Sequence, residues 1–356
     1  MMNPIQARFA TLMGHNAQAP CTPVLLTADL ARRLLARLDS LRLFAHGYPL
    51  LTNLTHGRVT PEDMLDFAYR HGLDGLSLHL LDGEHNSLSR MPAERLAAFA
   101  DKARGLGLDV HLEISSTLPA DVDQAVTVAR AIGSRNIRVY SRYEGHLSRV
   151  MGIIEDDLRR LARLADEHDL NFDFEQHEEL KSDEIATLLR RVGHPRLNAL
   201  FDFGNMINAC EQPLPALANL APFIRQVHLK GVRVVPEANG FGHYGVLQGS
   251  AEDQLPGARM LLELLLLGES TPQVVAFILE QENHYIAPAF RQVGEEADPF
   301  IVYREMSETP LPPGYSLEQM LADEHRWAND QVRYVRELLA QMRLLAELTL
   351  ADAAVA

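Results

Sequence analysis

Residues 171–205 read NFDFEQHEELKSDEIATLLRRVGHPRLNALFDFGN. An apolar run ends at Glu175, a helical stretch follows, and a second apolar run ends at Asp202. Strand, helix, strand is the repeating unit of a parallel sheet, because parallel neighbours need a long crossover between them. The same rhythm extends to both sides. Strand-like runs fall at residues 41–45, 76–80, 110–114, 137–140, 172–175, 199–203, 224–229 and 274–279, with helical stretches between them. Eight units predict a closed (β/α)8 TIM barrel. An open, doubly wound sheet is the rival, but it usually carries a Gly-rich first turn. No Gly-rich turn follows the first strand-like run, and no P-loop occurs in the chain.

The 356 residues divide into a helical extension over 1–40 and one barrel domain over 41–356 that includes a C-terminal helical region. Leu30, Leu34, Leu35 and Leu38 carry the helical period of the extension. Thr60 precedes Pro61 as a helix cap, and Ser316-Leu317-Glu318-Gln319 has the form of a capping box. The Met and Leu pattern from Leu317 to Leu348 predicts a helix facing the core or another subunit. Two long irregular stretches, 231–251 and 283–315, follow the seventh and eighth strands. Both leave the C-terminal face, where barrel active sites lie, and loops of this length are commonly lids or binding loops.

Charge and composition narrow the function. A formal net charge of −15 disfavours nucleic acid and anionic membrane surfaces as partners. The N-terminus lacks the apolar core of a signal peptide, and no run of about 18 apolar residues could span a bilayer. Cys21 and Cys210 have no metal-type spacing and read as small buried residues of a reducing cytoplasm. Without a G-x-S-x-G elbow, nucleophilic hydrolysis has no support.

The last four strands carry the chemistry. They end in Glu175, Asp202, His228 and Glu280, each directly after an apolar run. Intervals of 27 and 26 residues are one β-α unit each, and the 52 residues to Glu280 are one unit plus the long seventh loop. A lone carboxylate at a strand end usually caps a helix or pairs with a base. Three carboxylates and an imidazole converging at one desolvated mouth would repel one another, and a divalent cation resolves this. Oxygen-rich ligation suits Mn²⁺, Mg²⁺ or Co²⁺ better than structural Zn²⁺. Asp173 shares a strand face with Glu175, and Glu282 with Glu280, so each glutamate has a rival.

EQHEEL from Glu175, LFDFGN ending at Asn205, VHLKG from Val227 and FILE ending at Glu280 resemble the sugar phosphate isomerase/epimerase group of xylose isomerase-like TIM barrels. The resemblance covers roughly residues 42–350. It implies one divalent metal on Glu175, Asp202, His228 and Glu280, with Mn²⁺ foremost and Mg²⁺, Co²⁺ or Zn²⁺ as alternatives. It also implies that Glu175 and Glu280 move protons on opposite faces of a small polyhydroxy carbonyl substrate, through a metal-stabilised enediolate. Three features depart from the pattern. Gly231 stands where many relatives have Asp, a Gly-x-Gly-x-x-Asp stretch survives only as Gln248-Gly249-Ser250-Ala251-Glu252-Asp253, and Asn205 replaces a histidine of some epimerases. The segment NHYIAPAFRQVGEEADPFIVYREM after the eighth strand has no counterpart in short epimerases.

Further candidates for substrate contact are His79, Glu113, Arg142, His177 and Lys230, all at or just past strand ends. Lys230 could hold an anionic group or form a salt bridge, and His177 could face the site or cap the next helix. Arg142 and Tyr143 follow the fourth strand. His243, Tyr244, His284, Tyr285 and Arg304 lie in the long loops. The leading expectation is a cytoplasmic metal-dependent isomerase or epimerase of a keto-sugar, with a homo-oligomer as a further expectation. A lyase on the same barrel, such as a 3-oxo sugar acid decarboxylase or dehydratase, is the alternative. An endonuclease of the same barrel family is disfavoured by the net charge, and a catalytically inert scaffold by the intact quartet.

Overall fold

The computed structural model describes residues 3–16, 22–302 and 314–355. Cys21 and Arg304 lie outside the described residues. Eight parallel strands close into a barrel: β1 (Leu43–His46), β2 (Gly75–His79), β3 (Asp109–Glu113), β4 (Asn136–Val139), β5 (Asn171–Glu175), β6 (Leu197–Asp202), β7 (Ile224–Leu229) and β8 (Ala276–Leu279). Each strand pairs with its sequence neighbours, and β1 closes on β8 through Leu43–Phe277, Phe44–Ile278 and Ala45–Leu279. All eight predicted runs are strands, with ends displaced by one or two residues.

Outward side chains of the strands join the helices in one large apolar core, while Phe44, Leu200, Ala276 and Ile278 form a smaller cluster of their own. A polar layer lies below the mouth. There Gln226 donates to Asp173, His111 Nδ1 lies 2.6 Å from Gln226 Oε1, and Arg225 donates to Asn136 at 2.5 Å. Asp173 is thus occupied in this lower layer. Glu175 is two residues further along the same face, about 6–7 Å higher, and reaches the mouth.

Helix starts follow local chemistry. Thr60 and Asp63 form a reciprocal capping box before Pro61–Arg70, and Ser316 with Gln319 does the same ahead of Leu317–Val355. That last helix has 39 residues and buries Val332, Val335, Leu338, Met342 and Leu345 in the core. Glu324 caps the short helix Leu51–Thr55, accepting the backbone N–H groups of Thr52 at 2.9 Å and Asn53 at 3.0 Å. The N-terminal helices Pro4–Met13 and Ala28–Asp39 pack against Leu317–Val355 and Gly257–Leu265. Among the described residues, no helix is long and apolar enough to cross a membrane.

The stretch after β7 is ordered, contrary to its reading as irregular. It forms an antiparallel hairpin, Gly231–Pro236 with Phe241–Val246, to which Ile286–Ala287 adds a third strand. Gly231 has a local reason as well: a Cβ there would lie 2.5 Å from Gln248 Cα and 2.9 Å from Val246 O. Cys210, expected to be buried, is half-buried, and its thiol donates to Arg291 O at 2.9 Å.

Candidate metal centre

The parallel register sets the height of each strand end. Asp202 pairs with His228, Glu113 with His79 and Arg138, and His46 with Ser77, so these side chains form a ring at the C-terminal mouth. His228 is fully buried at its centre. Its Nδ1 lies 3.2 Å from Glu280 Oε2, 3.5 Å from Glu175 Oε1 and 3.8 Å from Asp202 Oδ2. On its other edge, Nε2 lies 3.1 Å from Glu113 Oε1.

Two sets of donor atoms each gather within 4.8 Å: Glu175, Asp202 and His228, and His46, Glu113, His228 and Glu280. In the second set Glu113 is already engaged. Its carboxylate accepts from Ser77 at 2.6 Å and Arg138 at 2.5 Å, and His46 Nε2 lies 3.0 Å away. Arg138, foremost among these neighbours, overcomes burial and holds Glu113 well below the usual carboxylate range. Glu113 therefore orients His228 through Nε2 and leaves Nδ1 facing the other three acids, an arrangement common behind metal-bound histidines.

The quartet passes a chemical test of fit. Glu175 Oε2, Asp202 Oδ2, His228 Nδ1 and Glu280 Oε2 are all buried and make no hydrogen bond, although Lys230 lies within ion-pair distance of Asp202 and Glu280, and Arg138 of Glu175. Three of the four are steadied through their other atom. Asp202 Oδ1 accepts the N–H groups of Gly204 at 2.7 Å and Asn205 at 2.8 Å, and Asn205 Nδ2 donates to Glu175 Oε1 at 3.3 Å. Burial and the charges of Glu280, Glu175 and Glu282 push Asp202 up to about 8, against the pull of Lys230. A divalent cation is the group that would relieve this repulsion.

Lys230 is buried with the acids. Its Nζ lies 2.9 Å from Asp202 Oδ2, 3.3 Å from Glu280 Oε2 and 2.7 Å from Glu282 Oε1. Despite burial, those three carboxylates hold the ammonium well above its ordinary value. Glu282 belongs to this lysine and to His243, 3.6 Å away, whereas Glu280 faces His228.

Above the quartet opens a cavity of about 390 Å³, within the usual range for small-molecule sites. Glu175 and Glu280 line it, as do the expected His79, Arg142, His177, Lys230 and Tyr285. Glu113 lies beneath it, fully buried. Tyr143 turns away and donates to Asp157 at 2.6 Å. His243 is buried against Asn208, and Tyr244 bonds His284 outside the cavity. Sequence reasoning missed His46, Tyr48, Asp82, Ser115, Arg138 and Tyr140, which also line the cavity. His46 ends the run LFAH much as Glu175 ends its own, so its signal was present. Arg138 showed only as one base inside an apolar strand.

A family model described as xylose isomerase-like TIM barrel matches residues 65–265. The uncharacterized protein YihM of Escherichia coli (strain K12) is 42% identical over 319 residues, 90% of this chain and 97% of that one. Among solved structures, a D-allulose 3-epimerase from Methylomonas sp., in complex with D-allulose, aligns over 84% of this chain and 97% of its own at 17% identity and a TM-score of 0.57. A xylose isomerase domain protein from Planctomyces limnophilus aligns over 68% and 91% at 17% identity and a TM-score of 0.52. At such identities the structural likeness speaks for the fold. With the family match spanning more than half of the sequence, this chain belongs to the xylose isomerase-like TIM barrel family.

Proposed function

We propose that the protein is a divalent-metal-dependent isomerase or epimerase of a keto-sugar or sugar derivative. The observation that carries this reading is the cluster of four buried ligand atoms that make no hydrogen bond, beneath a cavity whose walls include two of their own carboxylates. Glu175, Asp202, His228 and Glu280 would hold the ion, with Mn²⁺ foremost. A bound cation would supply the charge that draws electrons from a carbonyl and its neighbouring hydroxyl, making the α C–H acidic.

The chain's own residues then divide the work. Glu175 and Glu280 stand three strands apart around the barrel. One accepts the α proton and the other returns a proton from its own side, which inverts the carbon; return to the adjacent carbon interconverts ketose and aldose. Arg138 Nε, 3.2 Å from Glu175 Oε2, fixes the orientation of that base. Tyr48 and Tyr285 stay protonated, because burial and nearby carboxylates raise them well above the ordinary phenol value; Tyr285 donates to Glu178 Oε1 at 3.2 Å, and Tyr48 serves as a donor to a substrate hydroxyl. The similarity to a D-allulose 3-epimerase supports a polyhydroxy ketone as substrate.

Incubating Mn²⁺-loaded protein with a panel of ketoses in D₂O tests the reading. Deuterium should enter the α position of at least one member. No exchange across the panel with metal bound would overturn the isomerase reading, and CO₂ release from a 3-oxo aldonate would transfer it to a lyase.

A further inference from the structure

The acids at the mouth already share one cation, and it belongs to the chain itself. Lys230 follows the last residue of β7, two positions beyond His228 and so on the same face, and only 2% of it is exposed. Gly204 leaves room for its stem: a Cβ there would lie 3.5 Å from Lys230 Cε and 2.9 Å from Val232 Cγ1. Four acceptors surround the ammonium. Two are candidate ligand atoms, Asp202 Oδ2 at 2.9 Å and Glu280 Oε2 at 3.3 Å. The other two lie outside the quartet, Glu282 Oε1 at 2.7 Å and Asn205 Oδ1 at 3.4 Å.

The shortest of these contacts is therefore to a carboxylate that is no ligand, and that carboxylate is backed by the loops around it. His243 Nε2 lies 3.6 Å from Glu282 Oε2, and His243 Nδ1 lies 2.7 Å from Asn208 Oδ1. Asn208 also donates to Ala287 O at 3.1 Å and Pro288 O at 2.8 Å. The segments after β6, β7 and β8 thus meet behind Glu282. Asp202 and Glu280, by contrast, offer the lysine the same oxygens that they would offer a divalent ion. Two positive centres on shared oxygens repel each other, most strongly where water is excluded.

Resting on the reading of Glu175, Asp202, His228 and Glu280 as a metal centre, we infer that Lys230 is a built-in counter-ion that competes with the metal. Without metal it holds converging acids together, because buried carboxylates stripped of every cation are costly. Against metal it contends for Asp202 and Glu280, and Glu282 with Asn205 retain it. The ammonium stays charged throughout; only the oxygens it serves change. Occupancy of the centre then follows the supply of free divalent ion, and the folded chain persists in both states.

Lys230→Met keeps most of the volume and removes the charge. By calorimetry it should bind Mn²⁺ about tenfold more tightly than wild type, or better, since a positive charge beside the ion is gone. With chelator present it should melt at a lower temperature than wild type, and Mn²⁺ should raise that temperature by more. Lys230→Gln, polar but uncharged, should move in the same direction, which separates charge from packing. Unchanged or weaker Mn²⁺ binding by both variants overturns the inference and makes Lys230 a support for the ligands. Failure of both to fold even with Mn²⁺ overturns it too, since the lysine is then an obligatory ion pair. Wild type that binds no Mn²⁺ overturns this inference and the metal-centre reading together. Tighter binding by the variants with no deuterium exchange in any ketose keeps the counter-ion and drops the catalytic reading; exchange with weaker binding by both variants has the opposite meaning.

Discussion

At the scale of single residues, the candidate centre depends on atoms held in place by their neighbours, of which Glu113 lies beneath the cavity. Asp202→Asn and His228→Asn should each abolish stoichiometric Mn²⁺ binding, measured by calorimetry, because each removes one of the four proposed ligand atoms. Glu113→Gln is the more informative change. It retains the shape but loses the charge facing His228 Nε2, and loss of such an orienting partner typically costs 10–100-fold in metal affinity. An unchanged affinity would show that His228 needs no help from Glu113. The same scale explains the two rivalries among the acids. Asp173 and Glu175 share a face, but one is committed to Gln226 in the layer below. Glu282 is within reach of the site yet bound to Lys230 at 2.7 Å.

At the scale of elements, the segment after β8 is tied to the helix Ser182–Val192 by ions. Arg291 donates to both oxygens of Glu184, at 2.8 and 2.9 Å, and to Glu295 at 2.7 and 3.0 Å; Lys181 donates to Glu295 at 2.5 Å. Burial disfavours ionised Glu295, but Arg291 and Lys181 prevail and hold it down to about 2. A folded pKa below the unfolded one adds stability above the unfolded value, near 4.5, that is lost as pH falls through about 2. Glu295→Gln should therefore lower the melting temperature at pH 7, and the gap from wild type should narrow as pH falls from 4.5 towards 2. A gap independent of pH would show that the pairing contributes nothing. Glu324→Ala should cost about 2–3 kcal/mol in chemical denaturation, since it strips a buried charged cap from Thr52 and Asn53.

At the scale of the whole molecule, the candidate metal site, barrel closure and the outer helices are linked. A ligand that binds only the folded state stabilises it by mass action, about 2.7 kcal/mol at a hundredfold excess over its Kd. Chelation should lower the melting temperature, and adding back Mn²⁺ should restore it; identical melting curves would speak against a folded-state metal site. The helix Leu317–Val355 couples to the mouth directly, as Gln331 donates to Leu229 O at 2.7 Å, between His228 and Lys230 in sequence. All eight strands and the positions of the quartet were legible in the sequence, because period, burial and strand-end chemistry are local and repeat with the β-α unit. The hairpin over 231–246 was not read, because Gly231, Pro236, Gly240, Gly242 and Gly245 interrupt its apolar pattern, and its third strand, Ile286–Ala287, joins from some 40 residues further on. His46 and Arg138 entered the site only when closure of the barrel set β1 beside β8 and β4 beside β5. By itself the sequence determined which residue types end each strand and hence the chemistry available. Only the tertiary structure decided which of them meet, because the register and the curvature of a closed sheet, not distance along the chain, place side chains within reach of one another.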